Sequence, residues 1–300
     1  MERPARPLLA LALRLGFAVS LSSLLMVVKY AAQSGVSLPE IMFWRQAGCL
    51  PVIFCSLALS GKLAQLRTQR ITAHGGRAFV GMTNMVFNFG AAILLPLAES
   101  TTLSFTTPLF AVLIATVVLR DSIGPWRLTA VILGFAGIVI VAQPGTEPIP
   151  LLGGSMAIIC AMLTAIINYQ IRDLGRTEHP ACSVFWFSAF GTVLMLPLMP
   201  FFMTQHSAWQ WLLLASLGLL GAVAQLFMTA SLRHGKVANV VVIDYTQLIW
   251  ATAFGWLIWD KIPSRNTFLG APLIIAAGMI IVWREHRKRH DIAISSSEND

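Results

Sequence analysis

The sequence predicts an all-α integral membrane protein, with ten transmembrane helices arranged as two inverted five-helix repeats. Charged residues make up 11% of the chain and hydrophobic residues 56%, whereas a soluble domain carries about 25% charged residues. Apolar runs recur along the whole chain with only short polar breaks between them. These features favour one membrane domain and argue against a soluble one.

A helix needs about 20 apolar residues to cross the hydrocarbon of a bilayer. The first apolar run has a basic start but is too long for a cleaved signal peptide, so we expect it to remain as a helix. Turn residues such as Gly, Pro and Ser separate the runs. Ten segments are predicted to span the membrane: Leu11–Ala32, Ile41–Leu59, Ala78–Leu97, Thr101–Leu119, Leu128–Gln143, Leu151–Ile171, Cys182–Phe202, Trp209–Leu232, Ala238–Trp259 and Phe268–Trp283.

Two parts of the chain resemble each other. A constant shift aligns Thr107 with Thr246 and Asp121 with Asp260, and the match continues into the following helix after a two-residue insertion. Because five helices per half is an odd number, the two halves enter the membrane in opposite directions. Inverted repeats are typical of transporters, which place their site near the bilayer midplane between the repeats.

This symmetry predicts the domain organisation. We expect the first repeat to cover residues 1–145 and the second to cover residues 146–286. Residues 287–300 are predicted to form a polar cytoplasmic tail, disordered from Asp291 onward.

Lys and Arg residues are unevenly distributed between alternate breaks. Nearly all of the 21 lie in breaks on one side, only Lys261 and Arg265 lie in breaks on the other, and Lys29 and Arg45 lie inside apolar runs. The positive-inside rule then predicts that both termini are cytoplasmic, in the inner or plasma membrane. This distribution accounts for the net charge of +8 without a nucleic-acid partner.

Three stretches carry a resemblance to a known family. They are Pro39–Arg45 at the start of the second helix, Thr106-Thr107-Pro108 followed by Leu119-Arg120-Asp121, and Asp244-Tyr245-Thr246-Gln247 followed by Ile258-Trp259-Asp260-Lys261 and by Gly270 with Ala277-Gly278. With ten helices in two repeats, the chain resembles the EamA-type branch of the drug/metabolite transporter superfamily. That family usually has glutamate where Asp121 and Asp260 stand, and proline where Gln247 stands. The resemblance implies transport of amino acids, related metabolites, nucleotide-like compounds or drugs, and it favours export.

Ionisable residues inside membrane helices cost about 2.5–3.5 kcal/mol at the helix centre, so each is a functional candidate. Lys29 either serves as a gate or extends its amine to the membrane interface. Arg45 either binds a substrate carboxylate or phosphate, or forms an ion pair with Glu99 at an outer gate. Asp244 is interpreted as a counter-charge for a substrate amine, as a proton carrier, or as a structural partner of Arg233 or Lys236.

Neutral polar and aromatic side chains are expected to complete the cavity. Asn84 and Asn88 share one face of a helix, which suits either a lined cavity or hydrogen bonds between helices. Pro108 is expected to kink or break the fourth helix. The candidate substrate-binding residues, besides Arg45, are Tyr30, Asn84, Asn88, Asn168, Tyr169, Gln225, Tyr245, Gln247 and Trp250.

The sequence predicts no cofactor, no metal site and no enzymatic activity. His286 and His290 lack a third ligand, the four cysteines form no C-x-x-C pair, and no ATP-binding loop is present. We therefore expect a secondary transporter of small polar metabolites, foremost amino acids or their derivatives, driven by an ion gradient such as protons. The alternative is an importer of a larger vitamin- or nucleoside-like compound that stacks on tryptophan rings. Partners are a small-molecule substrate and the lipid bilayer, and the oligomeric state stays open.

Overall fold

The structure, a computed structural model, describes residues 7–119, 125–142, 149–234 and 242–297, and within these ranges all regular secondary structure is helical. The repeat boundary at 145–146, the matched residue Asp121 and the proposed partner Lys236 lie outside the described residues. The α-helices are α1 (Pro7–Gln33), α2 (Leu38–Leu59), α3 (Ile71–Leu94), α4 (Leu97–Ser104), α5 (Thr107–Leu119), α6 (Pro125–Ala142), α7 (Leu151–Leu174), α8 (Pro180–Met195), α9 (Met199–Phe202), α10 (Ala208–His234), α11 (Gln247–Trp259) and α12 (Arg265–Ser297).

Six stretches within the described residues are long and apolar enough to cross a membrane. They are Leu11–Gln33, Leu38–Leu59, Leu97–Ile114, Leu151–Leu174, Pro180–Phe202 and Ala208–Met228. Leu128–Val141 and Arg265–Ile281 are shorter apolar helices. The chain is therefore a multi-pass membrane protein, as its composition predicts.

The fourth predicted segment is divided in two, as the Thr-Thr-Pro stretch suggests. Helix α4 ends at Ser104 and α5 begins at Thr107, with Pro108 in the first turn of α5, where the lack of an N–H group costs little. The hydroxyl groups of Thr106 and Thr107 donate to the carbonyls of Leu103 and Ser104, at 2.7 and 2.8 Å. Carbonyls freed by the break thus keep hydrogen bonds inside the membrane.

In the described part of the ninth predicted segment, a 3-10 turn changes to an α-helix at the corresponding position, without a proline. A 3-10 turn occupies Val242–Thr246 before α11 begins at Gln247. Here too a threonine hydroxyl, that of Thr246, donates to the carbonyl three residues earlier, Ile243, at 2.7 Å. Gln247 therefore begins the α-helix, and the threonine hydrogen bond satisfies a carbonyl of the 3-10 turn before it.

The expected disorder from Asp291 onward is wrong for most of the tail, because α12 continues to Ser297. The helix is already nucleated upstream, so each further residue adds a backbone hydrogen bond without a new nucleation step, and Ala293 within this stretch is a strong helix former. Residues 298–300 lie outside the described range.

Hydrogen bonds join loops at each end of the bundle into two separate groups. At the end predicted to be cytoplasmic, Arg70 pairs with Asp173 at 2.6 Å. At the end predicted to be outer, buried Glu40 caps α2 through Ser37, accepts from the Thr204 amide at 3.0 Å and contacts His206 Nε2 at 2.8 Å.

Two pairs of glycines allow helices to approach closely. A Cβ atom on Gly218 of α10 would lie 2.6 Å from the Cα atom of Gly48 in α2, and one on Gly137 of α6 would lie 2.9 Å from the carbonyl oxygen of Gly270 in α12. Small residues at such crossings bring backbones together, which is how membrane helices gain contact without a hydrophobic driving force.

Candidate functional site

Arg45 lies in the second turn of α2 and points into the bundle. Its Nη1 atom donates to Gln46 Oε1 at 2.9 Å and contacts Met85 Sδ of α3 at 3.4 Å. Its Nε atom is buried and has no hydrogen-bond partner among the described residues. A buried donor that lacks a partner costs about 1–3 kcal/mol, so it favours a ligand that accepts from it.

The guanidinium of Arg45 is surrounded by helices from both halves of the chain. It lies 5.9 Å from the ring centroid of Phe187 in α8. A Cβ atom on Gly221 in α10 would be 3.2 Å from its Nε atom. The predicted pair with Glu99 is not formed, because Glu99 contacts residues of α12 and the loop before it instead.

Arg77, on α3, is a second buried cation beside the same ring. Its guanidinium lies 4.8 Å from the Phe187 centroid and donates to the Ser183 carbonyl at 3.3 Å. Neither Arg77 nor Arg45 forms an ion pair with a described residue. Because the third predicted segment begins only at Ala78, the positive-inside distribution places Arg77 in a cytoplasmic break. Its position two turns before Asn84 places both on one helix face, which is a signal that could have identified it.

Lys29, on α1, forms hydrogen bonds with the end of α3. Its amine donates to the carbonyls of Ala92 and Ile93, at 3.1 and 3.2 Å, and to that of Leu95. These carbonyls close the C-terminal end of α3, where a helix leaves acceptors without internal partners. The amine also lies 5.7 Å from the ring centroid of Trp259.

Glu99 joins α4 to the start of α12. Its Oε1 atom accepts from the Ser264 amide at 3.0 Å and from the Thr267 hydroxyl at 3.2 Å. Lys29 and Trp259 also line a cleft of about 330 Å³ at the end predicted to be outer. Lys29 and Glu99 therefore lie at that end of the bundle, although neither forms an ion pair with a described residue.

Asp244 forms a bidentate ion pair with Arg14 of α1, with both hydrogen bonds at 2.5 Å. The two partners that the sequence suggested for Asp244 lie outside the described residues: the side chain of Arg233 and all of Lys236. The positive-inside distribution places Arg14 on the cytoplasmic side, although it stands inside the first predicted segment, Leu11–Ala32. A charge inside an apolar run is the sequence feature that could have identified Arg14 as a partner for another buried charge.

The aromatic candidates near the break before α11 carry buried polar atoms. The Tyr245 hydroxyl and the Trp250 indole nitrogen are buried without a hydrogen-bond partner among the described residues. The Tyr245 ring packs edge-on against Phe105, with centroids 4.9 Å apart. Gln247 is buried, and its backbone carbonyl accepts from Ser22 of α1 at 3.3 Å.

The candidates on α3 and α7 are placed side by side by the contact between these helices. Asn84 Oδ1 accepts from the Thr164 hydroxyl at 3.3 Å, as the alternative of hydrogen bonding between helices anticipates. Tyr169 donates to the Ala111 carbonyl at 3.1 Å. Asn88 is half-buried and Asn168 is exposed.

Two further aromatic positions lie toward the end predicted to be outer. Tyr30 is 36% exposed and packs edge-on against Trp209, with centroids 6.4 Å apart. Trp44, which the sequence did not single out, has a buried indole nitrogen with no partner among the described residues. Its ring packs against Trp211 at 5.1 Å.

A separate cluster at the end predicted to be cytoplasmic was also missed. His74, Glu178 and Cys182 bring their ligand atoms within 4.8 Å of one another. Burial would raise the pKa of the Glu178 carboxyl, but hydrogen bonds from Thr68 and Cys182 and the neighbouring His74 lower this pKa below its usual value. Glu178 and Cys182 are four residues apart, but His74 lies about a hundred residues before them, so the sequence shows no spacing that would reveal all three ligands together. The side chains of His286 and His290 are outside the described part.

Comparisons with known proteins agree with the sequence resemblance. A profile of the EamA-like transporter family matches residues 8–143 and again residues 151–283. A solved crystal structure superimposes with a TM-score of 0.62 at 19% identity, covering 93% of this chain and 98% of the other, which supports the fold.

Three curated relatives have names that indicate small metabolites. The pseudopaline exporter of Pseudomonas aeruginosa is 27% identical and covers 82% of this chain and 87% of its own. The riboflavin transporter of Vibrio cholerae is 25% identical over 88% and 90%, and the S-adenosylmethionine uptake transporter of Rickettsia prowazekii is 26% identical over 83% and 84%. The chain therefore belongs to the EamA-like transporter family of the drug/metabolite transporter superfamily, whose members carry small metabolites across membranes.

Proposed function

We propose that the protein is a secondary active transporter that works by alternating access between two inverted repeats, residues 1–145 and 146–286. In this proposal ten helices cross the cytoplasmic membrane, and both termini are cytoplasmic. The family profile supports the repeat arrangement, because it matches the chain twice in tandem.

Helix contacts also support the inverted repeats. Exchanging the halves replaces α1 by α7, α2 by α8 and α3 by α10. Under this exchange the contact of α1 with α10 becomes that of α7 with α3, and the contact of α2 with α10 becomes that of α8 with α3; all four contacts are present. Such pairing is expected when two related bundles surround a common site.

The observation that carries the substrate assignment is the buried guanidinium of Arg45 beside that of Arg77. Both lie over Phe187, and both Nε atoms are buried without a partner among the described residues. Two cations with buried Nε atoms, neither paired with a carboxylate among the described residues, favour an anionic ligand, and guanidinium binds a carboxylate through two parallel hydrogen bonds. We therefore propose small carboxylate-bearing metabolites, foremost amino acids or their derivatives, as substrates, with export as the favoured direction.

The neutral candidates complete this proposal. Tyr245, Gln247 and Trp250, around the start of α11, and the asparagines Asn84 and Asn88 on α3 are proposed to line the substrate path together. Asn168, Tyr169 and Tyr30 are proposed to border the path. Asp244 is proposed to couple transport to protons or to counter a substrate amine when its pair with Arg14 opens.

The second candidate function is uptake of a larger vitamin- or nucleoside-like compound. The buried indole nitrogens of Trp44 and Trp250, which have no partner among the described residues, favour it. Tryptophan offers both a stacking face and a hydrogen-bond donor to a heteroaromatic ring. The names of the riboflavin and S-adenosylmethionine relatives support the same class.

Transport by the purified protein in proteoliposomes tests both functions. We would measure uptake and efflux of labelled amino acids, their N-acyl derivatives, nucleosides and riboflavin, with and without a pH gradient. The proposal expects a carboxylate-bearing solute to move, with a rate that the pH gradient changes. Transport of only uncharged ring compounds would favour the second function.

Variants then connect the transported solute to the site. Arg45→Ala should raise the KM for a carboxylate substrate at least tenfold, and Arg45→Lys should recover part of this loss because it keeps a charge but not the planar fork. Exposed Arg172 on α7 provides the matched control, Arg172→Ala, which should behave as the wild type. Equal KM values for Arg45→Ala and the wild type would contradict the anion site.

A further inference from the structure

The cluster of His74, Glu178 and Cys182 lies where the two halves meet at the end predicted to be cytoplasmic. His74 stands in the first turn of α3, and Glu178 and Cys182 flank the start of α8. Helices α3 and α8 pack against each other along their length. The cluster is distinct from the Arg45 site, and transport as proposed above does not use it.

The distances within the cluster are close to those of a metal site. Cys182 Sγ lies 3.4 Å from Glu178 Oε2, and His74 Nε2 lies 4.0 Å from the same oxygen. All three ligand atoms lie within 4.8 Å of one another. Tetrahedral zinc, with bonds of about 2.0–2.3 Å, separates neighbouring ligand atoms by about 3.3–3.7 Å. A movement of the His74 Nε2 atom of about 1 Å toward the other two atoms would bring the three to about these separations.

His74 provides an independent indication of a ligand. It is only 1% exposed, and neither ring nitrogen has a hydrogen-bond partner among the described residues. The contact of Nε2 with Glu178 at 4.0 Å is too long for a hydrogen bond. Buried imidazole nitrogens normally form a hydrogen bond or bind a metal. A nitrogen that does neither, and that faces a thiol and a carboxylate, indicates a missing ligand such as a metal ion.

We propose that His74, Glu178 and Cys182 form a binding site for a divalent transition metal, with Zn²⁺ as the best fit. Nitrogen, oxygen and sulfur ligands suit zinc, for which three protein ligands leave the fourth tetrahedral position to water, and hard cations such as Mg²⁺ avoid thiolates. On binding, the Cys182 thiol releases its proton to solvent and coordinates as the thiolate. Thiolate and carboxylate then balance the two charges of the ion, which offsets the repulsion by nearby Arg70 and Arg77.

A bound ion would link α3 of the first half to α8 of the second. Under the proposed function, which this consequence depends on, such a link holds the cytoplasmic end of the bundle closed and slows transport. Metal binding does not depend on transport, so an experiment can contradict the metal site without contradicting the proposed transport function, and the reverse.

Cobalt titration of the full-length, chelator-treated protein in detergent tests the site. Co²⁺ bound by a thiolate gives a charge-transfer band in the near ultraviolet, and tetrahedral Co²⁺ gives intense visible bands. We expect both to saturate at one equivalent and to disappear when Zn²⁺ is added. A wild type that shows neither band overturns the proposal and leaves the cluster as a hydrogen-bonded contact.

Variants identify the ligands. Cys182→Ser should abolish the charge-transfer band, whereas the control Cys55→Ser, which changes an exposed cysteine, should leave it unchanged. His74→Gln should weaken Co²⁺ and Zn²⁺ binding at least tenfold. If Cys182→Ser does not elute as a single species in size-exclusion chromatography, His74→Gln and Glu178→Gln decide the question. Unchanged binding in both of these variants overturns the proposal.

Discussion

The guanidinium of Arg14 in α1 donates two hydrogen bonds of 2.5 Å to the carboxylate of Asp244, which stands in the 3-10 turn before α11. The two side chains are 6% and 21% exposed. The Arg14 guanidinium also lies 4.7 Å from the centroid of the Phe17 ring. Because α1 and α11 belong to opposite predicted repeats, this pair connects the two halves of the bundle.

Breaking this pair should reduce both stability and transport. Removing one member of a buried ion pair costs about 3–5 kcal/mol, because the other charge stays buried without a partner. We therefore expect Arg14→Gln and Asp244→Asn each to lower the Tm of the purified protein by several degrees and to slow transport at least tenfold. The exposed pair of Arg70 and Asp173 is the control, and Asp173→Asn should change stability by about 0–1 kcal/mol.

The charge-swapped variant distinguishes a gate from a proton carrier. If the pair only closes the cytoplasmic end, Arg14→Asp combined with Asp244→Arg should restore Tm and transport relative to the single variants. If Asp244 also carries the proton, the double variant should regain Tm but lose the response to a pH gradient. A double variant no more stable than Asp244→Asn would show that the two side chains do not interact.

Much of the fold could be predicted because hydropathy and turn residues act locally. The long apolar runs predicted an all-helical, multi-pass membrane protein, and Pro108 predicted the division between α4 and α5. The change from a 3-10 turn to α11 at Gln247 was harder to predict, because no proline marks it; the Thr246 hydroxyl bonds to the Ile243 carbonyl there instead. The continuation of α12 to Ser297 was missed because composition alone does not show that a helix is already formed upstream.

The candidate site was less predictable, because its contacts join residues distant in sequence. Arg45 was identified by its charge within an apolar run. The partners of Asp244 and Glu99 were not, since they depend on how each helix is rotated about its axis. The approach of Arg77 to Phe187, and of His74 to Cys182, arises only once α3 packs against α8.

Lys29 is expected to contribute to stability more than to substrate binding. Its amine satisfies three carbonyls at the end of α3, and leaving buried acceptors unpaired costs about 1–3 kcal/mol each. Lys29→Met should therefore lower the Tm by several degrees while the KM of the remaining folded transporter stays within about twofold of wild type. Lys62→Met, at an exposed position, is the matched control. A raised KM at unchanged Tm would instead support the gate interpretation of the sequence.

Glu99 is expected to hold the outer end closed through the start of α12. Glu99→Ala removes the acceptor of Ser264 and Thr267, and hydrogen bonds to a charged group contribute about 1.5–3 kcal/mol each. Buried Ala98, which lines the outer cleft, can be replaced by cysteine in the Cys55→Ser background. A membrane-impermeant maleimide should label it about tenfold faster in Glu99→Ala.

The control for this measurement is Thr83→Val, which removes an exposed hydroxyl bonded within its own helix to Phe79. It should leave labelling at Ala98→Cys unchanged. If Ala98→Cys reacts at the same rate in the presence of Glu99 and in Glu99→Ala, the hydrogen bonds of Glu99 do not restrain the outer end.

The glycine contact between α2 and α10 should be intolerant of a single added methyl group. A Cβ atom on Gly218 would lie 2.6 Å from Gly48 Cα and 3.2 Å from its carbonyl oxygen, and backbone atoms cannot rotate aside as a side chain can. Overpacking of this kind costs about 1–3 kcal/mol, so Gly218→Ala should lower the Tm by several degrees. Gly75 on α3 has open space around the corresponding position, and Gly75→Ala should be neutral or stabilising by about 0.5–1 kcal/mol. If both variants unfold at the wild-type temperature, α2 and α10 do not approach as closely as this crossing requires.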